Sequence, residues 1–90
     1  MKEYIVFARY MTGEEQAYRY VMRKLNLGRQ RTQNAATLWE ALVAVDEPTV
    51  IHIAGAASMK DKIGTSLSGE IIGVFMQAAA QNEMLTVELK

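Results

Sequence analysis

"TVIHIA", Thr49 to Ala54, is an almost continuous apolar run that opens directly after Pro48. A strand apolar on both faces belongs inside a parallel sheet covered by helices. Parallel strands need long crossover connections, so the segments on either side of this run are expected to be helical.

Working upstream, a helix must stop before Pro48. "TLWE" (Thr37–Glu40) forms a capping box, with Asn34 as an alternative cap if the helix starts earlier. Leu38, Ala41, Leu42 and Val45 make its inner stripe. Before it, "TGEE" (Thr12–Glu15) is a second capping box. It opens a helix in which Ala17, Val21 and Leu25 repeat at i+4, flanked by Tyr18 and Met22. Arg19 and Arg23 fall on the opposite side, and Leu27-Gly28 ends the helix with a glycine at C′. "YIVFA" (Tyr4–Ala8) reads as a buried first strand.

Downstream, "GAASMKDKIGTS" is a connector with room for a short helical turn. "LSGEIIGVFMQAAAQ" is a further helix, with Leu67, Ile71, Val74 and Ala78 in one stripe and Ile72, Phe75 and Ala79 beside it. Gly69 and Gly73 each cost it about 1 kcal/mol against alanine, which points to close packing. "MLTVEL" (Met84–Leu89) alternates as a strand. The order β-α-α-β-α-β predicts an α/β domain: a three-stranded parallel sheet with right-handed crossovers, packed by three to four helices.

Ninety residues make a single domain, 1–90. Half the residues are hydrophobic and 22% are charged, the balance of a globular protein. No apolar run approaches the roughly 18 residues of a membrane span, and "MKEYIVFARYM" lacks a signal-peptide pattern, so the expected location is cytoplasmic. The absence of cysteine excludes disulfides, thiolate metal sites and a cysteine nucleophile. His52 is the only histidine, which excludes multi-histidine metal sites and tilts the reading against an enzyme. On a buried strand it reads as a hydrogen-bonded core residue. The six methionines read as core filler.

The net charge is zero but unevenly spread. Residues 1–34 hold seven cations against three anions, and residues 35–90 hold three cations against seven anions. With tyrosines at 10, 18 and 20, the basic half suits a polyanion, although opposite charges in one fold also balance each other. "GTSLSGEI" (Gly64–Ile71) superficially matches a phosphate-binding loop. However, Glu70 stands where the lysine belongs and Ile71 where the magnesium-binding hydroxyl belongs. It reads as a helix start with Glu70 complementing the helix dipole.

The richest stretch is "GRQRTQNAATLWEALVAV" (Gly28–Val45). Gln30, Thr32, Gln33 and Asn34 offer donors and acceptors, Arg29 and Arg31 offer planar forks suited to carboxylate or phosphate, and Trp39 follows on the helix. The segment is either a docking surface or a solvated loop followed by a buried tryptophan.

"NAATLWEAL" (Asn34–Leu42) resembles the N-x-x-x-L-W-D-x-L signature of the barstar family, small intracellular inhibitors of barnase-type ribonucleases. The resemblance runs along nearly the whole chain. "LNL" (Leu25–Leu27) precedes the loop, Pro48 introduces the second strand, "IIGVFMQAAA" carries Phe75 at a matching place, and "LTVEL" matches the last strand. It implies a three-stranded parallel sheet with helices around it, and a partner protein bound through residues 28–45. In the family, acidic side chains enter the ribonuclease's basic cleft and one carboxylate mimics substrate phosphate. Here Trp39 is retained and Glu40 stands at the principal acidic position. Ala36 replaces the second acid, Gln77 and Gln81 the acids of the third major helix, and "RQRTQ" the aromatic loop residues. Two arginines beside one carboxylate favour a partner charged differently from a basic cleft.

The expectation is a non-catalytic, barstar-like inhibitor or immunity protein that blocks the active site of a ribonuclease or other toxin protein. The expected contact residues are Arg29, Gln30, Arg31, Gln33, Asn34, Ala36, Trp39 and Glu40, with Gln77 at the edge. No cofactor, metal or membrane is expected, and the free protein is expected to be a monomer. The alternative is a nucleic-acid-binding domain using Arg19, Arg23, Lys24, Arg29 and Arg31.

Overall fold

A computed structural model describes residues 1–26 and 34–90. The elements run β1 (Lys2–Phe7), a 3-10 turn (Ala8–Tyr10), α1 (Glu14–Lys24), α2 (Ala35–Val43), β2 (Thr49–Ala54), a second 3-10 turn (Ala56–Ser58), α3 (Met59–Ile63), α4 (Thr65–Gln81) and β3 (Leu85–Leu89). The three strands are parallel in the order β1-β2-β3, with Lys2 opposite Thr49 and Thr49 opposite Leu85. This is the expected α/β fold. The fourth helix, α3, is the turn allowed for within the Gly55–Ser66 connector.

The cover of the sheet differs from expectation. Both crossovers step across the sheet in the same direction, and connections of one hand then place all four helices on one face. Burial agrees. Val6, Ile51, Ile53 and Leu85 are buried in the core, whereas Glu3, Thr86 and Glu88 on the other face are exposed and Ile5 is 44% exposed. β2 alternates between buried and half-buried residues rather than being closed on both sides. It reads as doubly buried because Val50 and Ala54, although apolar, lie on the open face.

The single core joins Tyr18, Val21 and Met22 of α1, Leu38 and Leu42 of α2, Met59 of α3 and Ile71, Phe75 and Ala78 of α4. Arg19 and Arg23 lie outside it, as the spacing requires. On α4 the buried line runs Ser68, Ile71, Phe75, Ala78, with Leu67 and Val74 at its margin. Three methionines, Met11, Met22 and Met59, fill the core, whereas Met1, Met76 and Met84 are exposed. Among the described residues, Gly69 and Gly73 have no neighbour that a Cβ would meet within 4 Å, so close packing against these residues does not account for them.

The helix ends also correct the expectations. Thr12 and Glu15 form no capping box. Gln16 instead accepts from the Thr12 N–H at 2.7 Å and donates to the Tyr10 carbonyl at 2.8 Å. The Gly28 cap lies outside the described residues. Within them, α1 is followed by Asn26 at φ +54°, a left-handed conformation that asparagine tolerates better than most residues. Glu70 is not in the first turn of α4, which begins at Thr65. Its carboxylate accepts from the Tyr18 hydroxyl and ties α4 to α1. Asn82, just past α4, donates from its side-chain amide to the carbonyls of Leu42, Val43 and Val45 at 3.1, 3.2 and 2.9 Å. It accepts from the Met84 N–H at 3.0 Å. One side chain therefore closes α2 and positions the start of β3.

Candidate functional site

α2 begins one turn earlier than the Thr37–Glu40 box would place it. Asn34 is the N-cap: its Oδ1 accepts from the Thr37 N–H at 2.9 Å, and the Thr37 hydroxyl accepts from the Asn34 N–H at 3.0 Å. Two of the donors stranded at a helix N-terminus are satisfied reciprocally. The Thr37 hydroxyl also lies 3.9 Å from Met22 Sδ, so the start of α2 is keyed to α1.

The earlier start changes the role of Glu40. As the third residue of a box it would be bound back to the cap. Instead it stands in the middle of α2, exposed, and its carboxylate forms no hydrogen bond or ion pair with another described residue. Ala36, one turn before it, is also exposed, so the two share an outward face. Trp39 is half-buried and packs against the core beside Leu38 and Leu42. Gln77 is exposed on α4, the helix against which α2 packs. Five of the nine predicted contact residues are therefore placed: Asn34 as a cap, Ala36, Glu40 and Gln77 on the surface, and Trp39 between surface and core. Arg29, Gln30, Arg31 and Gln33 lie outside the described residues.

A cleft of about 340 Å³ opens between the C-terminal end of α2 and the starts of β1 and β2, lined by Tyr4, Leu25, Leu42, Val45 and Glu47 among others. None of the five described contact residues lines it. The Lys2 ammonium is bound by Glu47 at 2.7 Å, which holds it above its ordinary range.

His52 is not a core residue. It lies on the open face of the sheet, with Nε2 3.2 Å from Glu3 and Nδ1 3.6 Å from Glu88. The second distance lies within ion-pair reach but is too long for a hydrogen bond, and Nδ1 is buried without a partner among the described residues. Among these residues no group of three or more histidine or carboxylate side chains is arranged to hold a metal, and no helix is long and apolar enough to cross a membrane.

The basic half holds an arrangement that sequence reading missed. Phe7, Tyr10 and Tyr20 gather at the outer edge of β1 with Arg9 and Lys24 over their rings. Tyr18, counted with the other tyrosines, is buried instead. Arg19 is taken up by Glu15 at 2.8 Å. The sequence signal was Arg9 set between Phe7 and Tyr10, together with Tyr20 and Lys24 one helical turn apart.

Comparison with models of known protein families and with curated proteins gives no match.

Proposed function

We propose that this chain is a non-catalytic inhibitor or immunity protein that docks on a ribonuclease or other toxin protein through residues 28–45. The observation that carries the reading is the release of Glu40 from capping. The Asn34–Thr37 pair closes the helix start by itself, which leaves a carboxylate on the outer face of α2 beside Ala36. A helix held at its cap and packed on the core through Leu38, Leu42 and Trp39 is a preorganised platform, so little ordering cost accompanies association. The resemblance of Asn34–Leu42 to the barstar signature supports the same surface. Glu40 stands at the anionic position that would enter the partner's site, Trp39 would anchor the face from behind, and Gln77 on the neighbouring α4 would contribute its edge. Arg29 and Arg31 belong to the same segment and offer forks for carboxylates on the partner.

The test is capture of a nuclease or toxin from extracts of the source cells, followed by titration of its activity with wild-type and Glu40→Ala protein. The variant is expected to fold normally and to lose at least about 2 kcal/mol of binding, roughly thirtyfold, as a central contact does. Inhibition undiminished by Glu40→Ala would remove this carboxylate from the mechanism.

A further inference from the structure

The outer edge of β1 is covered by side chains from α1. The Phe7 N–H, pointing away from β2, donates to the Tyr20 hydroxyl at 3.0 Å. The Tyr10 ring meets Phe7 edge-on at 5.7 Å and 79°, and meets Tyr20 at 5.9 Å and 62°. Tyr10 nevertheless keeps half of its surface exposed. The Arg9 guanidinium stands 4.8 Å from the Phe7 ring centre and 5.1 Å from that of Tyr10, and the Lys24 ammonium stands 6.0 Å from Phe7. Among the described residues no carboxylate pairs with Arg9, Arg23 or Lys24, whereas Arg19 is engaged by Glu15.

We propose that this cluster is a binding site for single-stranded nucleic acid, with a base stacked on Tyr10 and the flanking phosphates held by Arg9 and Lys24. An exposed aromatic ring fixed in orientation by edge-on neighbours offers a flat apolar surface whose ordering is already complete. Stacking on such rings is worth about 1–3 kcal/mol per base and tolerates any base. Cations without carboxylate partners attract phosphate and release its counterions. An acidic peptide would use the cations but leave the ring platform idle, and a paired base within a duplex cannot reach the ring. The site lies on β1 and α1, apart from the outer face of α2, and does not depend on the inhibitor reading.

The experiment is fluorescence anisotropy with labelled oligodeoxyuridine and oligouridine of about ten nucleotides, and with a duplex of equal length, over a salt series. Both single strands are expected to bind more tightly than the duplex, and the tighter of the two identifies the preferred sugar. Tyr10→Ala and Tyr10→Leu, the second of which keeps apolar contact with Phe7 and Tyr20, should each weaken binding by about fivefold to a hundredfold. Tyr10→Phe should bind as wild type does. Arg9→Ala and Lys24→Ala should each lower the slope of log affinity against log salt by about 0.7. Three results would overturn the proposal: no binding at low salt, duplex bound as tightly as single strand, or a folded Tyr10→Leu that binds as wild type does. The last would mark the patch as a general polyanion surface.

Discussion

The Tyr18 hydroxyl donates a hydrogen bond to the Glu70 carboxylate and links the middle of α1 to α4 across 52 positions of sequence. The Tyr18 ring is almost wholly buried, whereas Glu70 reaches solvent. Tyr18→Phe keeps the packing and removes only the donor. Because Glu70 can turn to water, the loss should be about 1 kcal/mol, below the usual range for a bond to a charged group. Urea denaturation, read as a midpoint shift at constant slope, checks this.

The same contact predicts a pH dependence. Burial, and then the Glu70 carboxylate, push the Tyr18 phenol above its ordinary range. A group whose folded pKa is raised contributes stability that is complete below its unfolded value, about 10 for tyrosine, and is lost as pH rises beyond it. Stability should therefore fall above about pH 10, and more gently in Tyr18→Phe. The raised Lys2 ammonium declines in the same direction, so the difference between the two proteins isolates the tyrosine. Chemical denaturation at stepped alkaline pH measures it.

Asn82 closes three carbonyls and one N–H with a single side chain. Asn82→Ala should cost about 2 kcal/mol, because the half-buried Val43 and Val45 carbonyls lose their donor rather than exchange it, while the Leu42 carbonyl keeps the Val45 N–H. Asn82→Asp should cost at least as much, since a carboxylate would face three carbonyl oxygens. Thermal and urea unfolding of both variants check this order.

Gly69 and Gly73 sit inside α4 with no described residue within 4 Å of where a Cβ would go. Each change to alanine should raise stability by about 0.5–1 kcal/mol through helix propensity and a less free unfolded chain. A lower melting temperature for either variant would show that the position has a neighbour outside the described residues.

The caps give a contrasting pair. Asn34→Ala should cost about 1 kcal/mol, because it removes the acceptor that closes α2. Thr12→Ala should stay within about 0.5 kcal/mol, since the Thr12 side chain caps nothing and its N–H is held by Gln16. Equal losses in the two variants, measured by calorimetry, would overturn this assignment.

These features differ in how far the sequence revealed them. Strand and helix identities were legible in periodicity, and the stripe Ala17, Val21, Leu25 lies in the core as its spacing requires. The open face was not legible, because Ile5, Val50 and Ala54 are as apolar as their neighbours and only the strand order decides which side the helices cover. The start of α2 was ambiguous because Asn34 and Thr37 each satisfy a cap pattern. The earlier start prevails, with an additional hydrogen-bonded turn and a residue at least as good at the cap. Glu70, His52 with its two carboxylates, and the rings around Tyr10 depend on partners from distant segments, which local spacing does not encode.

The register of the sheet bears on how quickly the chain reaches this state. β2 is a partner in both pairings, and neither Lys2–Thr49 nor Thr49–Leu85 can meet until an entire helical crossover has been looped back. No hairpin exists among the described strands to nucleate the sheet cheaply, so the entropy of closing long loops falls before any strand contact is rewarded. Refolding should therefore be slower than in helical bundles of this length, with the middle strand as the step on which the rate turns.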